Sequence, residues 1–130
     1  MYGAGLLDCV GACFVTSYYR YTNSYFPSGT TSKTHTFTVT SSDTRIRVSL
    51  AFNKRSVGSG TNHSSIDSGD NTDLNIQVKD PNGIIVGFST TKNNNVEIVD
   101  FVPATTGTYT VVITRADNSS ETVYYGLAWR

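Results

Sequence analysis

A chain of 130 residues fits one domain and is long enough to bury a single core. Its 10 basic and 10 acidic residues cancel to a formal charge of +0, which removes the electrostatic footprint of a nucleic-acid binder or a polybasic membrane patch. No apolar run approaches the roughly 20 residues that span a bilayer. Charged residues make up only 15%, and abundant Thr, Ser, Asn and Tyr give the composition of extracellular β-domains.

The opening, MYGAGLLDCVGAC, differs in texture from everything after it. Leu6, Leu7, Val10, Ala12 and Phe14 suggest one short helix that ends before the cluster of β-branched and aromatic residues at 15–21. It makes a poor signal peptide, because the first basic residue is Arg20 and Gly3, Gly5 and Asp8 interrupt the apolar run. Cys9 and Cys13 would share one face of that helix, spaced along its axis in a geometry unsuited to a disulfide. They read as small buried hydrophobes, since a two-cysteine metal site needs further ligands and none is adjacent.

A tyrosine-rich connector follows, with Tyr18, Tyr19, Tyr21, Tyr25 and Phe26, and a turn at Pro27-Ser28-Gly29. Period-two alternation then takes over. Residues 35–40 set Phe37 and Val39 on one side, and 45–52 set Ile46, Val48, Leu50 and Phe52 inward with Arg45, Arg47 and Ser49 outward. A long polar loop at 53–71 leads to a strand at 73–79 that buries Leu74, Ile76 and Val78. Asp80-Pro81-Asn82-Gly83 is a turn signal, with Pro presetting φ and Gly tolerating a positive one, and residues 84–89 return as the hairpin partner. Alternation in the strand at 96–102 slips near Val99, as at a bulge. Residues 108–114 bury Tyr109, Val111 and Ile113, and 121–129 bury Val123, Tyr125, Leu127 and Trp129. Seven to eight short strands with regular turns predict an all-β chain, an antiparallel β-sandwich or jelly roll with a short N-terminal helix.

Four pieces of this pattern, in order, resemble the C-terminal β-sandwich domain of subtilisin-like serine proteases. They are Asp73-Leu74-Asn75-Ile76, the Pro81-Asn82-Gly83 turn, Asn95-Val96-Glu97, and Gly107-Thr108-Tyr109-Thr110-Val111. The family reads there as an Asp-Leu-x-Leu strand, a Pro-x-Gly turn, an Asn-x-Glu strand and a Gly-x-Tyr-x-Val strand. The opening Tyr2-Gly3-Ala4-Gly5-Leu6-Leu7-Asp8 is similar to the end of the catalytic domain in that family, where Gly-x-Gly-Leu-x-Asp-Ala leads into the last helix, with Cys9 here in place of Ala.

The resemblance implies three segments: residues 1–17 as the last helix of a catalytic domain, 18–30 as a linker and 31–130 as the accessory sandwich. It also implies a secreted or cell-envelope protease whose catalytic Asp, His and Ser precede this piece, so that the piece is itself proteolytically inert. The implied partners are that catalytic domain and its protein substrate. The apolar opening, without its catalytic partner, is left to dock on the sandwich, fray or pair two copies.

Carboxylate and amide oxygens gather at Asp67, Asp70, Asn71, Asp73 and Asn75, with Asn95 and Glu97 on a second segment. Calcium takes six to eight such oxygens, often from loops, and clustered carboxylates repel unless a hard cation lies between them. The related sandwiches often bind calcium at the loop before the Asp-Leu strand, which makes Asp67, Asp70, Asp73, Asn75, Asn95 and Glu97 the candidate ligands. The competing reading is a solvated loop with Asp73 capping a turn. The chain departs from the family at Phe52-Asn53-Lys54-Arg55, where members often carry Trp-x-Asp, and no ligand is assigned there.

His63, Ser64 and Asp67 lie in a polar loop without the rigid base, orienting acid and oxyanion hole that a triad needs. They read as surface residues, as does His35. Tyr18, Tyr19, Tyr21, Tyr124 and Tyr125 are an aromatic platform for sugars or a polypeptide on one reading, and core or interface residues on the other, with alternation assigning Tyr125 to the core. Asn62-His63-Ser64 and Asn118-Ser119-Ser120 are glycosylation sequons. Two functions from different classes follow: an accessory domain of a subtilisin-like protease, and an independent carbohydrate- or cell-wall-binding module.

Overall fold

The computed structural model describes residues 20–42, 44–53, 72–92, 94–117 and 122–130. These form β1 (Tyr21–Phe26), β2 (Ser32–Val39), β3 (Ile46–Phe52), β4 (Leu74–Lys79), β5 (Ile85–Ser89), β6 (Val96–Phe101), β7 (Gly107–Arg115) and β8 (Val123–Trp129). Two four-stranded sheets result, ordered β1-β8-β3-β6 and β2-β7-β4-β5, with every pairing antiparallel. First pairs with last, second with seventh, third with sixth and fourth with fifth. The chain is thus one long hairpin rolled upon itself, the jelly-roll order.

Side chains of alternate residues meet between the sheets. Val48, Leu50, Leu74, Val78, Tyr109, Val111 and Ile113 are fully buried, each burial stabilising by roughly 1.5–3 kcal/mol for a large side chain. A row of stacked rings crosses the core: Trp129 lies 5.7 Å from Phe37, Phe37 5.8 Å from Tyr109, and Tyr109 5.5 Å from Phe101. Its two ends belong to one sheet and its middle to the other, so the row pins the sheets face to face. Tyr109 is wholly enclosed, and its hydroxyl donates to the Thr105 carbonyl at 2.8 Å, satisfying its polar end.

Three local expectations change. The tyrosine-rich connector carries β1, which pairs with β8 from Tyr21↔Ala128 to Phe26↔Val123. Alternation in β6 does not slip: Glu97, Val99 and Phe101 face inward while Val96, Ile98 and Asp100 face out, in unbroken register with β3. What looked like a bulge is a buried acid on the inner face and apolar residues on the outer. The irregularity lies instead between Val78 and Lys79, where β4 meets β5. Trp129 is only partly buried, at the rim of the core.

The helix expected over residues 1–17 falls outside the described residues. Among those described there is no helix, and hence none long and apolar enough to cross a membrane.

Candidate functional site

The four candidate calcium ligands among the described residues divide between the sheets. Asp73 stands just before β4: its N–H donates to Asp117 Oδ2 at 2.8 Å, and its carbonyl accepts from the Ala116 N–H at 2.8 Å. Asp117 in turn pairs with the Arg115 guanidinium at 2.8 Å, both side chains being buried. Asn75 lies on β4 opposite Thr114, and its Oδ1 is buried without a hydrogen-bond partner. An orphaned neutral oxygen beside Asp73 is a donor of the kind calcium accepts. Asp67 and Asp70 lie outside the described residues.

Asn95 and Glu97 belong to the opposite sheet. Glu97 is fully buried, and it accepts hydrogen bonds from the Ser89 and Thr91 hydroxyls and from the Thr91 N–H at 3.2 and 3.3 Å. Both carboxyl oxygens thereby tie the β5–β6 connection to β6. Asn95 is exposed, and its carbonyl accepts from the Phe52 N–H at 3.0 Å. Among the described residues no group of three or more His, Cys, Asp or Glu is placed to hold a metal ion.

The Asp80-Pro81-Asn82-Gly83 turn is built as its residues dictate. Asp80 Oδ1 accepts from the N–H groups of Asn82 at 2.9 Å and Ile84 at 2.7 Å, and Gly83 adopts a φ of 83°. Pro81 lies against Gly107, the first residue of β7.

At the rim between β1 and β2 the inward positions turn polar. His35 Nε2 is 2.7 Å from the Tyr125 hydroxyl, and Lys33 Nζ donates to Ser24 Oγ at 3.2 Å. His35 is therefore a half-buried link between the sheets and not the surface residue expected. Burial first, and then the Lys33 cation, hold its pKa below the ordinary 6.5. Burial also raises that of Tyr125. On the outer face of β3 and β6, Asp100 accepts from Arg47 Nη2 at 2.7 Å, with Arg45 at 3.4 Å, and the Arg47 hydrogen bond holds its carboxyl below the usual range.

The outer face of sheet β1-β8-β3-β6 carries a groove of about 710 Å³. Tyr25 and Tyr124, directly paired in the β1–β8 register, form one wall with ring centroids 5.9 Å apart. Gly126 and Ala51, paired across β8 and β3, form the floor, and Asn23, Asn53 and Asn95 stand around it. Of the tyrosines expected as a platform, Tyr124 is here, Tyr125 is in the core, Tyr21 is exposed on β1, and Tyr18 and Tyr19 lie outside the described residues. So do His63, Ser64 and both sequon asparagines.

Sequence reading missed Tyr25 as the partner of Tyr124. The signal was present: Tyr21, Asn23 and Tyr25 alternate with Thr22, Ser24 and Phe26. A mostly polar inner face hid it, because period two is usually recognised by its apolar side. No family model matches the chain, and no curated protein matches it either.

Proposed function

We propose that this chain is a non-catalytic C-terminal accessory domain of a secreted or cell-envelope subtilisin-like serine protease, which it stabilises by packing on the catalytic domain. One observation supports this reading: two of the pieces that carry the family resemblance meet in space, and two others hold structural positions in the sandwich. Gly107 of the Gly-x-Tyr-x-Val piece touches Pro81 of the Pro-x-Gly turn. Glu97 of the Asn-x-Glu piece closes the β5–β6 connection, and Tyr109 sits at the centre of the ring row.

On this reading the bond-breaking chemistry belongs to the polypeptide before the sandwich. Calcium, where bound, is held by Asp73 and Asn75 together with Asp67 and Asp70, and orders the loop that leads into β4. Ligation that occurs only in the folded state adds to stability by mass action. Packing on the catalytic domain acts in the same direction, and places the sandwich where it assists in positioning the protein substrate.

The test is thermal inactivation of the parent protease with and without residues 20–130. The intact enzyme is expected to survive at least several-fold longer at a temperature that inactivates it within minutes. Equal half-lives would remove the stabilising role.

A further inference from the structure

We infer that the groove on the outer face of sheet β1-β8-β3-β6 binds a neutral polysaccharide chain. This holds whether or not a protease domain precedes the sandwich. Its volume of about 710 Å³ lies within the range of small-ligand sites, about 300–1,000 Å³. The described lining points to the ligand's chemistry. Among the described residues, none that lines the groove carries a charged side chain, which favours a neutral ligand over phosphates, acidic sugars and charged peptides. Tyr25 and Tyr124 are 48% and 61% exposed, offering ring faces to the apolar C–H face of a pyranose. Asn23, Asn53 and Asn95 are among the lining residues, and an amide both donates and accepts, the pairing that sugar hydroxyls need.

Gly126 gives the second observation. Mid-strand glycine costs about 0.5–1 kcal/mol relative to alanine and is tolerated where backbone geometry or crowding demands it. Neither demand exists here: its φ is not in the left-handed region, and a Cβ built at 126 would meet nothing within 4 Å. What the missing side chain does is deepen the floor between Tyr124 and the asparagines. The Lys33 ammonium, 5.1 Å from the Tyr25 centroid, and the Tyr124 ring hold the wall in place, so little order remains to be gained on binding. A peptide adding to this sheet would pair along the edge of β1 or β6 and leave the face untouched.

The full chain is run by affinity electrophoresis in gels containing laminarin, hydroxyethylcellulose, xylan or galactomannan, with heparin and denatured casein as further arms. At least one neutral polysaccharide is expected to retard it. Tyr124→Ala and, separately, Gly126→Val are each expected to weaken that retardation at least tenfold. Gly126→Val fills the floor with a strand-favouring residue whose Cβ meets nothing within 4 Å, so its melting temperature is expected to be no lower than the parent's. The inference is overturned by absence of retardation in all four neutral gels, by retardation that both variants retain, or by binding confined to heparin or casein.

Discussion

Gly107 begins β7 with a φ of 135° and lies so close to Pro81 that a Cβ would come within 2.8 Å of the proline Cγ. Alanine at 107 therefore meets both a disfavoured backbone conformation and the Pro81 ring. Gly107→Ala is expected to destabilise the sandwich by about 2 kcal/mol, read from the urea midpoint. Gly83→Ala supplies the comparison, because Gly83 has a φ of 83° but open space around it. Its cost is expected at about 1 kcal/mol. Equal losses would show that the contact with Pro81 contributes nothing.

Glu97 is an acid at a core position, retained by the donors of Ser89 and Thr91. Glu97→Ala removes the acceptor for all of them and leaves a void in β6. A loss of about 2 kcal/mol is expected, with parallel loss of amide-exchange protection at Thr91. An unchanged urea midpoint would mean that the clamp is not structural.

Burial of His35, with the Lys33 cation beside it, makes folding sensitive to mild acid. The folded chain holds the His35 pKa below 6.5, so below that value the unfolded chain binds the proton more readily. Stability from this site is whole above pH 6.5 and declines as the pH falls through the folded pKa. Lys33 on the same strand, with Ser24 and Tyr125 facing from the other sheet, are the groups a charged imidazole would meet. Asp100, held low by Arg47, acts in the same direction only below 3.8. Urea midpoints for the parent and His35→Asn are expected to diverge at neutral pH and converge between pH 6.5 and 3.8. A constant difference across that window would contradict the assignment.

Calcium is expected to raise the melting temperature of the full chain, and magnesium to do so less, since it gives up its water reluctantly. At calcium one hundredfold above its dissociation constant the gain is about 2.7 kcal/mol. Asn75→Ala is expected to diminish it, because that side chain offers the orphaned buried oxygen. Glu97→Gln is expected to leave the increment unchanged, the acid being bonded elsewhere. Identical melting curves in calcium and in chelator would remove the metal from the account.

Much of the sandwich was legible because burial and period two coincide in most strands. Ile46, Val48, Leu50 and Phe52 announce β3, and Tyr109, Val111 and Ile113 announce β7. Where they part, reading fails: β1 hides Thr22 and Ser24 on its inner face, and β6 hides Glu97. Neither is recoverable from alternation, since a buried polar residue is explained only by partners distant in sequence. The groove was harder still. Its wall depends on Tyr25 lying opposite Tyr124, a register between the first strand and the last that no local pattern encodes. The opening, by contrast, is read only through its likeness to the end of a protease domain.

The most direct measurement is therefore the coding sequence in frame before Met1. An accessory domain of a subtilisin-like protease requires upstream segments carrying that enzyme's catalytic Asp, His and Ser, in one continuous reading frame with this chain. Finding them is the predicted result. A reading frame that lacks them would contradict the account, and would leave the groove on sheet β1-β8-β3-β6 as the starting point for this protein's function.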